Sequence, residues 1–257
     1  MRGKGAARLA QALGTTAQDD SLLCAYRAEF LKLPSESDIA RELARDVDTD
    51  TVHAAREALR TAIGQEIAED LAKIYALNAT HGAYSPDAES AGRRALRNAA
   101  LELLVATGEP SEIARAERHY RQAANMTDAI AALSILSHLD VPAHDQALEH
   151  FYARWQNEPL VLDKWFAVQA RAVRPDSVET VRGLLSHAKF SLKNPNRVRA
   201  LIGSFVQANP TGFNRADGEG YRLLASQALE IDRFNPHMAA RLLGAFESWR
   251  ILEPTRQ

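Results

Sequence analysis

The sequence predicts an all-α protein: a superhelical stack of antiparallel helix pairs, α-solenoid-like, with about a dozen or more helices. Three observations predict it. Ala and Leu recur three and four residues apart along nearly the whole chain, with Arg and Glu between them, which is the spacing of one helical face. Strand-like alternation of β-branched residues is nearly absent. Ser85-Pro86, Asn194-Pro195 and Asn235-Pro236 each set a capping side chain before a proline. Its oxygen accepts from an orphan amide of the first turn, and proline at the first helical position has its φ already set.

Taken in order, Leu22-Leu23-Cys24-Ala25-Tyr26 is an apolar helical setting for the single cysteine. Val52, Ala55, Leu59, Ile63 and Ile67 form one stripe, with Arg56, Glu57, Arg60 and Glu66 on other faces. A helix opens after Ser85-Pro86 and carries Arg93, Arg94 and Arg97. Gly108-Glu109-Pro110 is a weak internal boundary in what reads as one helical domain over residues 1–257. Thr127-Asp128 before Ile130 is another helix start. Phe151, Tyr152, Trp155, Trp165 and Phe166 are the densest aromatic cluster, and at helical spacing they lock two adjacent helices together. Asn194-Pro195 and Asn235-Pro236 open two further helices, whereas Asn209-Pro210 reads as the end of one. The stretch Thr211 to Gly220, with Gly212, Gly218 and Gly220, reads as an irregular loop. No strict 34- or 40-residue repeat is present, so any repeat is structural rather than sequential.

Composition removes several function classes. Lys+Arg is 31 against Asp+Glu 33, which gives no electrostatic reason to expect nucleic acid or an anionic membrane as partner. No apolar run reaches the about 18 residues of a membrane span, and no signal-peptide core follows Met1-Arg2-Gly3-Lys4. One cysteine excludes a disulfide framework and any site of several thiolates, which points to the cytoplasm.

No motif supplies a self-contained active site. None of the eight histidines makes the His-Glu-x-x-His spacing that puts two imidazoles one turn apart for zinc. His144 and His150 stand off a shared helical face, and His53 with Glu57 reads as an ordinary solvated pair. There is no Gly-x-Ser-x-Gly elbow and no phosphate-cradling glycine loop. Cys24 lacks the electropositive setting that activates a thiol. The reading at this level is no catalytic residue and no metal site in this chain.

Some strings go beyond generic helix. They are Asn125-Met126-Thr127-Asp128 with Ala131-Ala132-Leu133; Phe151-Tyr152-Ala153-Arg154-Trp155 with Leu160 to Phe166; Asn194-Pro195-Asn196-Arg197-Val198-Arg199 continuing to Phe205; and Asn235-Pro236 with Ala240-Arg241-Leu242. Tyr84-Ser85-Pro86 with Ala91 to Arg97, and Asp176 to Leu185, fit the same pattern. Together they resemble the C-terminal helical domain of the bacterial aminopeptidase N family, zinc-dependent alanyl aminopeptidases of the gluzincin class. The resemblance runs from about residue 20 to the end. It implies that the chain is a fragment of a larger multidomain enzyme that removes N-terminal residues from short peptides. The zinc and its motif would lie in a thermolysin-like catalytic domain absent here, and further helices would follow Arg256-Gln257. This chain would then hold no cofactor, would not be catalytic alone, and would form the lid and substrate-cavity wall. Its partners would be the catalytic domain of the same polypeptide and short peptides. By motif, Arg199 and Arg241 map onto two arginines that face the cavity. His237 stands where the family often has a glutamine. The alternative from the residues themselves is a free-standing helical-repeat scaffold that binds a protein along its concave face.

Overall fold

The computed structural model describes residues 2–257, with side chains from residue 5 onward. Regular structure among them is helical: α1 (Arg2–Gln18), α2 (Cys24–Phe30), α3 (Glu36–Leu43), α4 (Thr49–Glu66), α5 (Ala68–Leu77), α6 (Ala88–Val105), α7 (Pro110–Gln122) and α8 (Met126–Ser137). After these come α9 (Pro142–Trp155), α10 (Pro159–Arg171), α11 (Ser177–Leu185), α12 (Pro195–Val198) and a π-helical segment (Arg199–Gly203). The chain ends with α13 (Ser204–Ala208), α14 (Pro210–Phe213), α15 (Glu219–Asp232), α16 (Pro236–Leu243) and a 3₁₀ segment (Gly244–Ile251). Among the described residues the β-type contact is an isolated parallel bridge between Val47 and Leu252. No helix is long and apolar enough to cross a membrane among the described residues.

The chain divides into two compact units, Met1–Pro34 with Ala54–Leu139, and Ser35–His53 with Asp140–Gln257. The division falls inside α4 and after α8. Gly108-Glu109-Pro110 is instead the turn between α6 and α7, with Pro110 the first residue of α7.

In the first unit α6 is the centre and packs against α2, α5, α7 and α8. Leu71 and Ile74 of α5, Leu96, Leu101 and Leu104 of α6, and Leu133 and Leu136 of α8 are buried together. Each such side chain contributes about 1.5–3 kcal/mol relative to exposure. Along α4 the predicted stripe is buried at Val52 and Ile63, but Leu59 is half-buried and Ala55 exposed. Ile67 lies past the end of α4, at the N-terminus of α5.

In the second unit α10 is the centre, packed by α9, α11, the π segment and α13. Tyr152 meets Trp165 at 4.9 Å between ring centroids, and Trp165 meets Phe166 at 5.1 Å. The Trp165 indole N–H donates to the Leu148 carbonyl at 3.1 Å. His187 and Phe190, from the segment after α11, complete this ring cluster. The segment 35–53 ends on a small core of Val47, Val52 and Leu252. Beside it buried Arg256 binds Asp48 at 3.0 Å, Asp50, Glu253 and the Asn214 carbonyl.

The capping expectations are corrected in three places. Asn194 and Asn235 cap α12 and α16. At α6, however, the cap is Asp87, which accepts from the Ser90 amide at 2.8 Å while the Ser85 hydroxyl binds the Asp87 carboxylate. A carboxylate also satisfies the positive end of the helix dipole, which a serine hydroxyl does not. At α8 the cap is Asn125, accepting from the Asp128 amide at 2.9 Å, so the helix starts at Met126. Asn209-Pro210 does not open a loop. Asn209 caps α14 by accepting from the Gly212 amide at 3.0 Å, and its amide group donates to the carbonyls of Ala170 and Ala172. The irregular stretch shrinks to the residues between Phe213 and Glu219. Its glycines have specific reasons: Gly218 adopts φ +73°, and a Cβ on Gly220 would lie 2.2 Å from the Phe213 carbonyl oxygen.

Candidate functional site

Two of the proline-started helices of the second unit meet at one cavity of about 690 Å³. Asn194 accepts from the amides of Asn196 and Arg197, and this fixes the start of α12. Arg199 follows as the first residue of the π segment. On α16, Asn235 accepts from the Met238 amide at 3.1 Å, and Arg241 follows one turn later. Arg199, His237 and Arg241, the three residues marked from the sequence, all line this cavity. Gln207 and Met238 line it too and were not marked. Arg199, Gly203, Val206 and Gln207 are spaced as one helical face, and that spacing could have found Gln207.

The electrostatics of the wall are one-sided. No Asp or Glu is among the lining residues. Arg199 is exposed, and its guanidinium binds the Asn196 side chain and, at 3.3 Å, the Pro195 carbonyl. Arg241 is exposed and makes no ion pair or hydrogen bond among the described residues. Other arginines of this unit find carboxylates: Arg182 binds Glu219, and Arg215 binds Glu179 and Asp217. A guanidinium without a local carboxylate presents its N–H fork to whatever anion enters, and a planar carboxylate fits that fork bidentately.

The other residues that drew attention in the sequence have structural partners. Cys24 is half-buried at the start of α2, its Sγ 3.6 Å from Asn78 Oδ1. His53 Nδ1 lies 2.7 Å from Glu36 Oε1. Arg93 donates to the carbonyls of Leu77 and Ala79, Arg94 to that of Ser85, and Arg97 to the Tyr75 hydroxyl. Among the described residues no group of three or more His, Cys, Asp or Glu side chains is placed to hold a metal ion.

A family model described as "Domain of unknown function (DUF3458_C) ARM repeats" matches residues 2–257. The chain belongs to this family, the C-terminal helical domain of aminopeptidase N. Aminopeptidase N of Caulobacter vibrioides is 42% identical over 250 residues, which covers 97% of this chain and 29% of that protein. Aminopeptidase N of Escherichia coli is 36% identical over 235 residues, 91% of this chain and 27% of that protein. A crystal structure of Legionella pneumophila aminopeptidase A in complex with aspartic acid matches with a TM-score of 0.86 and 29% identity, over 99% of this chain and 33% of that one. The aminopeptidase N helical domain therefore spans about a third or less of the proteins it matches. Its all-α fold of paired helices agrees with the ARM-repeat description.

Proposed function

We propose that this chain is the non-catalytic helical domain of a cytoplasmic zinc aminopeptidase that trims short peptides, and that it supplies the lid and cavity wall of that enzyme. The observation that carries the reading is the pair Arg199 and Arg241 on one cavity wall that holds no carboxylate. A peptide whose N-terminus sits at a catalytic centre extends its C-terminal carboxylate away from it. A wall with two guanidinium groups attracts that carboxylate and can bind it through charge-assisted hydrogen bonds. His237 lies on the same wall and can add a donor. No group of three or more His, Cys, Asp or Glu side chains among the described residues is placed to hold a metal ion, which supports placing the zinc of the family in the catalytic domain. Hydrolysis belongs to a catalytic domain of the same polypeptide, and the single half-buried Cys24 agrees with a reducing compartment.

The test uses the full enzyme. Arg241→Ala is expected to raise KM for tri- and tetrapeptides by about tenfold, with little effect on a neutral chromogenic amide that has no carboxylate. Equal effects on both substrates, or none on either, would overturn the carboxylate contact.

A further inference from the structure

The first unit contains a second, smaller pocket. It measures about 110 Å³, roughly the space of a few waters, and lies where the loop before α6 meets α6, α7 and the start of α8. Arg94, Arg97, His119 and Asp128 line it. Arg94 is 3% exposed and His119 4%.

Hydrogen-bond accounting makes the pocket unusual. Arg94 Nη2 donates to the Ser85 carbonyl at 2.9 Å while the guanidinium stacks on Tyr84, and its buried Nε has no partner in the protein. Arg97 Nη2 donates to the Tyr75 hydroxyl at 3.2 Å with the guanidinium over the Tyr75 ring, and its buried Nε is likewise unpartnered. The Tyr75 hydroxyl also lies 2.9 Å from His119 Nδ1. His119 Nε2 is buried and makes no hydrogen bond, with Asp128 Oδ1 3.8 Å from it. The two unpartnered arginine nitrogens are donors by their chemistry. Neither arginine has a carboxylate partner among the described residues.

Asp128 does not answer them. Its Oδ1 accepts from Asn98 at 3.0 Å and its Oδ2 from Asn125 at 2.9 Å. Burial pushes its carboxyl up, but His119, Asn125 and Asn98 outweigh burial and hold it below the usual range, so it stays ionised. Two guanidinium groups against one carboxylate leave the pocket with an excess positive charge. Buried donors of this kind are paired in almost all proteins.

We propose that this pocket binds a small oxyanion, of phosphate or carboxylate chemistry, held by the guanidinium groups of Arg94 and Arg97. It is distinct from the Arg199–Arg241 cavity, which lies in the other unit.

The experiment titrates the 257-residue chain with inorganic phosphate, and separately with acetate, by calorimetry and thermal unfolding, against sodium chloride of matched ionic strength. Saturable binding of either anion is expected, weakened about tenfold or more in Arg97→Gln; any part of the acetate binding that Arg199→Ala/Arg241→Ala removes belongs to the other cavity. Phosphate binding alone identifies a phosphoryl ligand, and acetate binding alone a carboxylate. Arg97→Gln is checked for native helicity by circular dichroism. Should it not fold, backbone amide shift changes on the unaltered chain decide the matter: they are expected around Arg94 and Arg97, and changes confined to the other unit would overturn the proposal. No saturable binding beyond the chloride control would overturn the proposal. So would binding that a folded Arg97→Gln leaves unchanged.

Discussion

Arg197 and Arg199 stand two residues apart behind the same proline and are used in opposite ways. Arg197 is buried: its Nε donates to Asp163 at 2.7 Å, its Nη1 to the Lys189 carbonyl at 2.9 Å, and its guanidinium lies 4.8 Å from the Phe166 ring centre. Arg199 is exposed, touches no carboxylate and faces a cavity. Arg256 and Arg241 repeat the contrast near the C-terminal end, one buried among Asp48, Asp50 and Glu253, the other unpaired. The difference teaches that residue type and helix position do not decide an arginine's role here. What decides it is whether the neighbouring helix supplies a carboxylate, as α10 does with Asp163.

The largest effect expected from this contrast is at Arg197. Arg197→Ala removes the partner of Asp163, whose side chain is only 16% exposed, and leaves a charge that water reaches poorly. Breaking such a pair costs about 3 kcal/mol, because the remaining ion keeps its desolvation penalty. Urea unfolding of the two proteins measures it. A loss below about 1 kcal/mol would show that Asp163 finds water or another donor, and the contrast with Arg199 would weaken. Arg197→Met/Asp163→Leu, which removes both charges, should recover most of the loss.

A smaller effect is expected at His187, which the ring cluster encloses near Arg197. Burial holds its imidazole below the usual value of 6.5, and the positive charges of Arg197 and Lys189 push the same way. Its Nδ1 accepts from the Lys189 amide at 3.1 Å. The native protein therefore favours the neutral ring. Above pH 6.5 the ring is neutral in both states and contributes no pH dependence. As the pH falls through 6.5 the unfolded chain takes up a proton that the folded chain resists, so stability falls. Unfolding free energies between pH 8 and 5 should show this slope in the unaltered protein and a flatter one in His187→Gln. Arg197→Ala should flatten it in part, and an unchanged slope in His187→Gln would assign the acid sensitivity to other groups.

Much of this architecture is legible in the sequence for physical reasons. Asn194-Pro195 and Asn235-Pro236 are strong starts because the cap and the preset φ act locally, within four residues. Asp87 was missed because a serine-proline pair two residues earlier gave the same signal, and only the chain's path selects the carboxylate. Asn209 was misread for a related reason: its side chain caps α14 and ties down two carbonyls of α10's end, and that second task needs tertiary contact. Arg199, His237 and Arg241 came from a family pattern, and the structure places them on one cavity. The chain's own spacing gave no sign that residues some forty positions apart share a wall. The donors of the smaller pocket were read only as a basic stretch, because an unpartnered Nε is a property of packing and leaves no trace in composition.

The smallest effect is a predicted absence. If Arg199 and Arg241 are presented to a ligand rather than used to hold the fold, Arg199→Ala/Arg241→Ala should change the unfolding free energy by no more than about 0.5 kcal/mol. Both side chains are exposed, neither pairs with a carboxylate, and no buried group loses a partner when they are cut back. Two cations on one wall also repel weakly, so removing them offsets part of any loss, and that gain should shrink as salt screens the pair. A loss well above 1 kcal/mol would mean that their alkyl stems pack the cavity wall. The same arginines would then belong with Arg197 and Arg256, and a rise in KM for Arg241→Ala could no longer be read as a lost contact with substrate.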